Sequence, residues 1–195
     1  LMGAIQDLFG IELPIVQAPM AGVQKSALAI AVSNAGGLGS LPCAMLDADT
    51  IRAEVAAIRA RTTGPFNLNF FCHAQPAPDA ARESAWRATL ASYYAEYEID
   101  PTTIQPGPGR RPFDAEMAAL VEELRPPVVS FHFGLPPREL LDRVRRTGAR
   151  VLSSATTVDE AVWLERGGVD AVIAQGVEAG GHRGMFLADE IATQI

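Results

Sequence analysis

One histidine stands in a glycine-rich stretch near the end of the 195-residue chain. The segment AVIAQGVEAGGHRGMF, residues 171–186, is an apolar run followed by glycines around His182, and the chain contains only three histidines. Glycine lets a backbone approach a flat ligand closely and adopt positive φ without strain. Imidazole titrates near neutral pH, so it can act as a base, or as a cation beside an anionic substrate. Because Gln175, Glu178 and Arg183 crowd the same short loop, we expect His182 to be functional rather than a surface residue in a turn.

Polar side chains also occur near the ends of other apolar runs. The runs contain Asn67 and Asn69, Ser130 and His132, and the serine pair at 153–154. Residues two apart in a strand face the same way, so each of the first two pairs shares a face. Ligands of parallel α/β proteins sit at the carboxyl ends of the strands. The sequence therefore predicts one shared pocket at that edge.

Short apolar runs alternate along the chain with segments of helical periodicity, which is typical of a parallel sheet covered on both faces. Strands are predicted at 14–20, 37–42, 65–71, 126–134, 149–155 and 170–176. Helices are predicted at 24–37, 47–62, 114–125, 137–148 and 157–168, and a longer, aromatic helix at 79–99 is expected to belong to an insertion. This order leaves an open doubly wound sheet and a (β/α)8 barrel as alternatives.

Composition argues against several functional classes. The formal net charge is −7 and the basic residues are scattered, so nucleic-acid binding is not expected. Cys43 and Cys72 lack the spacing of a metal site and are expected to be reduced thiols of a cytoplasmic protein. No signal peptide is expected at the start, and no apolar stretch approaches the roughly 20 residues that cross a bilayer, so a soluble protein is predicted.

Two glycine-rich segments do not complete the dinucleotide-binding pattern. In GGLGSLP and GPGRRP the last glycine of that pattern is replaced by Pro42 and Pro112. GGLGSLP also runs from a helix into a strand, which is the reverse of the order that such a site requires. A nicotinamide-binding Rossmann site is therefore not expected.

Four segments of the chain resemble, in order, the motifs of a known family. They are PIVQAPMAGV (14–23), PFNLNFF (65–71), VSFHFGLP (129–136) and DAVIAQGVEAGGHRG (170–184). The chain resembles the bacterial nitronate monooxygenases, formerly called 2-nitropropane dioxygenases, along its whole length and most weakly across 74–125. The resemblance implies a TIM (β/α)8 barrel that binds FMN without covalent attachment. It also implies oxidation of an alkyl nitronate, such as propionate 3-nitronate, by O₂ to a carbonyl compound and nitrite.

The resemblance also implies roles for individual residues. His182 matches the active-site histidine, and His132 matches a second histidine that lines the substrate pocket. The implied cofactor contacts are Ala18, Pro19, Met20, Gly22, Asn69, Gln175, Gly180 and Gly181, and no metal is implied. His73, just past the third predicted strand, is expected to be a solvated loop residue.

The number of predicted strands departs from the family pattern. Six strands are predicted, whereas a closed barrel has eight strands and is typically about 250 residues long. We therefore expect one FMN-binding barrel domain over 1–195, truncated to the first six strands, with a helical insertion after strand 3. Since the family's phosphate-binding loops follow strands 7 and 8, these 195 residues alone are expected to bind FMN weakly or not at all.

Two other interpretations stay open. One is a related FMN-dependent enoyl-acyl-carrier-protein reductase or NAD(P)H:quinone reductase, because these enzymes share a QAPM-like strand and an AGGH loop. VSFHFGLP favours the nitronate branch. The other interpretation, from a different class, is a non-catalytic truncated fragment.

Overall fold

The computed structural model describes residues 4–105, 110–188 and 190. The chain divides into two units, one made of residues 1–73 with 111–195 and the other of residues 74–110. The second unit contains the segment in which the sequence predicted a helical insertion. The glycines of GPGRRP, at 107 and 109, lie outside the described residues.

Five parallel strands form the sheet of the first unit. They are β1 (Gly39–Pro42), β2 (Phe66–Phe71), β3 (Val128–His132), β4 (Arg150–Ala155) and β5 (Ala171–Ala174). Each strand pairs in parallel with the next strand along the chain, from β1 at one edge to β5 at the other. A doubly wound sheet reverses its strand order near the middle, whereas a barrel wall does not. The strand order therefore confirms the barrel interpretation over the open sheet.

The first of the six predicted strands is reduced to a single bridge. Within residues 14–20, Val16 pairs in parallel with Leu38, and the amide of Gln17 donates to the carbonyl of Leu38 at 2.9 Å. Prolines at 14 and 19 have no amide hydrogen, which limits the ladder that this segment can form. The segment keeps a strand's place beside β1, but the count of six strands is corrected to five strands and one bridge.

Eight α-helices are described. They are α1 (Ala4–Phe9), α2 (Ser26–Asn34), α3 (Ala48–Arg61), α4 (Ala80–Thr89), α5 (Ala91–Glu96), α6 (Ala115–Leu124), α7 (Arg138–Arg146) and α8 (Val158–Gly167). α1 was not predicted. The single helix predicted at 79–99 is instead α4 and α5, which meet at Leu90. The hydroxyl of Thr89 donates to the carbonyl of Ala85 at 3.0 Å, a back-bond of the kind that bends helices.

The two faces of the sheet carry different side chains. One face packs under α2, α3, α6 and α7 and forms the larger core, with Leu41, Leu68, Phe70, Val129, Phe131 and Val151 from the strands. On the other face, Phe9 and Ile11 pack with Leu38, Val128 and Leu152 and close the amino end of the strands. Because side chains alternate along a strand, this inner face continues through buried Ser40, Asn67, Asn69 and Ser130 to Phe71 and His132. The inner face therefore leads from an apolar floor to a polar middle and then to the carboxyl edge.

Within the described ranges, none of the helices combines the length and the apolar character needed to cross a membrane.

Candidate functional site

All three histidines of the chain lie around the same two phenylalanine rings. The ring centroid of Phe71 is 5.8 Å from that of His132, 5.5 Å from that of His182 and 6.2 Å from that of His73. The ring centroid of Phe133 is 4.4 Å, 6.0 Å and 6.1 Å from the same three imidazoles. The structure thus brings together the two histidines that the sequence selected, although they are 50 positions apart. We call these three imidazoles and two phenyl rings the imidazole cluster.

The expectation that His73 is a solvated loop residue was right about the loop, but the side chain is half-buried rather than solvated. The amide of Cys72 donates to the carbonyl of His132 at 2.8 Å, which extends the path of β2 beyond its last residue. His73 therefore falls on the same face as Phe71, two residues earlier, and packs against the cluster. Its Nδ1 atom is buried and has no hydrogen-bond partner among the described residues.

The surroundings of His132 determine which of its nitrogens carries a proton. Its Nε2 atom lies 3.2 Å from the carbonyl oxygen of His182. Because a carbonyl oxygen only accepts hydrogen bonds, Nε2 donates, and Nδ1 of the neutral ring keeps a free lone pair. Burial lowers the pKa of His132; the bond to the His182 carbonyl opposes this effect, and the nearby His182 ring adds to it. The His132 ring is accordingly mostly neutral at pH 7.

The loop after β5 is held by the side chain of Gln175. Its Nε2 atom donates to the His182 carbonyl at 2.9 Å, and its Oε1 atom accepts from the Gly184 amide at 2.7 Å. Gly184 in turn lies directly against His132: a Cβ atom at position 184 would be 2.6 Å from Cε1 and 3.1 Å from Nδ1 of that ring. Gln175 therefore fastens the 182–184 loop to the end of β5, and this loop in turn contacts His132.

The two glycines before His182 leave one side of this loop open. A Cβ atom added at Gly180 or Gly181 would meet no atom within 4 Å. Gly181 has φ +79°, a left-handed conformation that favours glycine. Backbone amides of this stretch are consequently accessible to a flat ligand.

Residues 18–22, which the family resemblance places along the flavin, lie in a segment that is anchored at both ends on Ser40 of β1. The Gln17 side chain donates to the Ser40 carbonyl and accepts from the Ser40 amide, each at 3.1 Å. Gln24 donates to the same carbonyl at 3.0 Å. Between the two glutamines the segment presents Ala18, Pro19, Met20 and Gly22. The sequence did not single out these anchors, although Gln17 lies inside the quoted motif and Gln24 directly follows it.

Buried amides and hydroxyls connect this anchor to β3. The Nδ2 atom of Asn67 donates to Ser40 Oγ at 3.1 Å and to Ser130 Oγ at 2.8 Å. The Nδ2 atom of Asn69 donates to Ser130 Oγ at 2.9 Å. The Oδ1 atom of Asn67 and the Oε1 atom of Gln24 are buried and have no partner among the described residues. An unpaired buried acceptor costs about 1–3 kcal/mol, so a ligand that donates to these atoms would be stabilised here.

The cysteines and the metal-ligating side chains are further candidate reactive groups. Both cysteines are free, and burial raises the pKa of each thiol, so neither is a ready thiolate nucleophile. In the part of the chain that the structure describes, no three metal-ligating side chains come together.

The inner face and the carboxyl edge define the class of this protein. A parallel sheet in barrel order, with an apolar floor, a polar inner layer and imidazoles at its carboxyl edge, is the arrangement with which (β/α)8 proteins bind a ligand. Sequence comparison gives the particular family. The profile of the nitronate monooxygenase family matches residues 3–195, and the chain belongs to this family.

Curated relatives carry the same family name. Nitronate monooxygenase of Paraburkholderia phytofirmans is 46% identical over 187 residues, which are 95% of this chain and 51% of the relative. The Pseudomonas aeruginosa protein of that name is 46% identical over 184 residues, 92% of this chain and 51% of the relative. The chain thus spans about half the length of the curated relatives it matches.

Similarity to solved structures supports the interpretation of the sheet as part of a barrel. Nitroalkane oxidase from Streptomyces ansochromogenes matches with a TM-score of 0.81 and 42% identity, over 98% of this chain and 53% of that protein. FabK from Thermotoga maritima matches with a TM-score of 0.65 and 28% identity, over 93% of this chain and 46% of that protein. The family that the four motifs predicted is therefore confirmed.

Proposed function

We propose that the protein is an FMN-dependent nitronate monooxygenase that oxidises alkyl nitronates with O₂ to a carbonyl compound and nitrite. The observation that carries the proposal is the meeting of His132 and His182 on Phe71 and Phe133. Family membership supports it. Because the matched relatives are about twice as long, the activity is inferred for a protein of their length.

The residues of the inner face fit a flat ring system that both donates and accepts hydrogen bonds. Asn67 Oδ1 and Gln24 Oε1 are acceptors that no described residue pairs with, and Gly181 lies in an open loop. FMN would be held by the 18–22 segment, by Asn69 and Gln175, and by the backbone at Gly180 and Gly181. FMN held there would supply the redox chemistry that links the nitronate to O₂.

The two site histidines have different tasks in this proposal. A nitronate carries its negative charge on the nitro oxygens, and a charge-assisted hydrogen bond to these atoms needs a donor. The Nε2–H group of His132 is already used by the His182 carbonyl, and its Nδ1 atom is an acceptor in the neutral ring. His182 is therefore the residue that binds the nitronate oxygens, and His132 positions it through the His182 carbonyl.

A second candidate activity is the oxidation of neutral nitroalkanes, favoured by the similarity to the Streptomyces nitroalkane oxidase. In that reaction His182 would first take the α-proton of the substrate as a general base. Activity on nitronates but not on neutral nitroalkanes would assign binding alone to His182.

Free thiols at Cys43 and Cys72 support a cytoplasmic location.

The test is nitrite release from ethyl nitronate in air by the FMN-loaded protein and by His182→Asn. We expect kcat/KM of the variant to fall by about 10²- to 10⁴-fold, the range for a group acting in the transition state, with the FMN affinity little changed. Full activity of His182→Asn on nitronates would remove this residue from the mechanism.

Anaerobic mixing with NADH separates the reductase alternative. Rapid bleaching of the flavin absorbance would favour a reductase, and its absence favours the monooxygenase. Failure to bind FMN and to release nitrite at the relatives' full length would support the non-catalytic alternative.

A further inference from the structure

A fully buried carboxylate lies outside the imidazole cluster, in the first turn of α8. Glu160 is 0% exposed. Its Oε1 atom accepts from the amides of Phe186 and Leu187 at 2.7 Å and 3.1 Å, and its Oε2 atom accepts from the amide and the hydroxyl of Thr156, both at 2.7 Å. Burial by itself would raise the pKa of Glu160, but these hydrogen bonds outweigh it and hold the pKa below the ordinary value. The side chain is therefore an ion at neutral pH.

These bonds fasten the segment that follows His182. The ring of Phe186 packs on Trp163 of α8, with centroids 5.2 Å apart. The same ring covers Gly134, where an added Cβ atom would lie 3.1 Å from Cδ2 of Phe186. Glu160 thus holds residues 186 and 187 between α8 and the end of β3.

The end of β3 needs such support. Phe133 has φ +67° and Gly134 has φ +86°. The left-handed conformation is rare for an aromatic residue and costs on the order of 1–3 kcal/mol, so neighbouring structure must maintain it. The hydroxyl of Ser153 donates to the Gly134 carbonyl at 2.8 Å. The ring of Phe186 covers the α-carbon of Gly134. Phe133 is the ring that His132 touches at 4.4 Å.

We propose that Glu160 is a positioning residue of the site: its carboxylate fastens residues 184–187, which places Gly184 against His132 and keeps the His182 carbonyl on His132 Nε2. Glu160 touches neither imidazole and acts through backbone amides. A role confined to capping α8 would need Thr156 and Thr157, but it would not need the amides of residues 186 and 187. The positions of Gly184 and of the His182 carbonyl follow from geometry alone, and only their importance for nitronate oxidation rests on the proposed function.

Glu160→Gln tests the proposal because an amide can satisfy only one of the two donor pairs. If its oxygen accepts from Phe186 and Leu187, its NH₂ group faces the donors of Thr156, and the reverse holds if it flips. Glu165→Gln is the matched control, since it removes the same charge from an exposed position of the same helix. Glu160→Asp is the second variant, since it keeps the charge and shortens the reach.

The pKa of His132, followed by NMR titration of its ring protons in the FMN-saturated protein of the relatives' length, separates position from charge. Loss of a nearby negative charge lowers the pKa of an imidazole. Release of residues 184–187 would uncover the ring, which raises its pKa, and would break its bond to the His182 carbonyl, which lowers it. The rise prevails because burial is the largest cause of the lowered pKa. The proposal therefore predicts a rise toward the ordinary value of 6.5 in both Glu160 variants, whereas charge alone predicts a fall in Glu160→Gln and no change in Glu160→Asp.

Hydrogen exchange of the Phe186 and Leu187 amides gives a second readout. We expect the exchange rate of these amides to rise about tenfold or more in both Glu160 variants. The rate should be unchanged in Glu165→Gln. An unchanged or lowered pKa of His132, with unchanged exchange of these amides, would overturn the proposal. A wild-type protein without nitronate activity would instead overturn the proposed function and leave the pKa and exchange results to decide the placement. Should Glu160→Gln fail to fold, as judged by circular dichroism, Glu160→Asp still decides.

Discussion

At the scale of single residues, the absence of a side chain is as important to the site as the imidazoles themselves. Gly184 gives its amide to Gln175 and leaves room for the His132 ring beside its α-carbon. The same ring holds the His182 carbonyl through Nε2. A small residue at 184 is thus required by the contact between two segments, and not by the local backbone conformation, because its φ is not in the left-handed region.

Gly184→Ala should displace the His132 ring. The new methyl group would start 2.6 Å from Cε1 of that ring, so the ring must rotate and lose its bond to the His182 carbonyl. We expect the free energy of unfolding to fall by about 1–3 kcal/mol, the usual cost of overpacking, as measured by urea denaturation. Gly180→Ala, which adds the same group in open space, should change it by less than about 0.5 kcal/mol. Equal effects of the two substitutions would show that position 184 is not sterically constrained.

At the scale of elements, α2 and β1 meet so closely that one strand residue must be glycine. A Cβ atom at Gly39 would overlap the carbonyl oxygen of Ala29 and lie 2.6 Å from Oγ of Ser33. That hydroxyl accepts from the Gly39 amide at 3.2 Å and donates to the Pro65 carbonyl at 2.8 Å. α2 is thereby joined to β1 and to the residue before β2, and this region sets the position of Ser40, on which the 18–22 segment is anchored.

Gly39→Ala should therefore separate α2 from β1. The overlap involves backbone, which cannot rotate away as a side chain can, so a loss of about 3 kcal/mol or more in unfolding free energy is expected. Chemical denaturation followed by circular dichroism measures it. Ala27→Ser, on the exposed side of α2, is the control and should stay within about 0.5 kcal/mol of the wild type. A Gly39→Ala protein as stable as this control would contradict the packing described for α2.

At the scale of the whole molecule, burial differs between the two units. α3 and α6 of the first unit each bury apolar side chains in the core, for example Ile51 and Val55, or Leu120 and Val121. In the second unit α4, α5 and the short 3₁₀ turn at Pro101–Thr103 contain no buried residue. Helices of this length owe most of their stability to packing, so the two units should differ in local stability.

Hydrogen–deuterium exchange of the 195-residue chain should show this difference. Peptides from residues 80–103 are expected to exchange at least tenfold faster than peptides from α3 and α6, because opening them exposes little apolar surface. Mass spectrometry of the labelled chain measures both sets in the same sample, so the core helices serve as the internal control. Equal protection in the two sets would mean that residues 80–103 are stabilised by contacts that their exposure does not reveal.

The sequence alone was sufficient to predict the elements whose signals are local. Each of β1 to β5 falls within a predicted apolar run. β1 to β4 are largely buried, and strands buried on both faces are continuously apolar. The starts of α3, α6 and α8 follow Asp47, Asp114 and Thr157, whose side chains accept from amides of the first turn. The family was also readable, since its motifs are contiguous stretches of the chain. The helix at 79–99 and the first strand were mispredicted where a back-bonding threonine and two prolines opposed the pattern.

Only the tertiary structure decided which side chains meet. The path of β2 past its last residue turns His73 toward the cluster, and the course of the last loop places the amides of residues 186 and 187 on Glu160, 26 and 27 positions earlier. Ser40 likewise receives Gln17 and Gln24 from one segment and Asn67 from another. Such contacts depend on strand register and on the route of loops across the sheet. Neither is encoded in local propensity, because each is selected by the packing of segments distant in sequence.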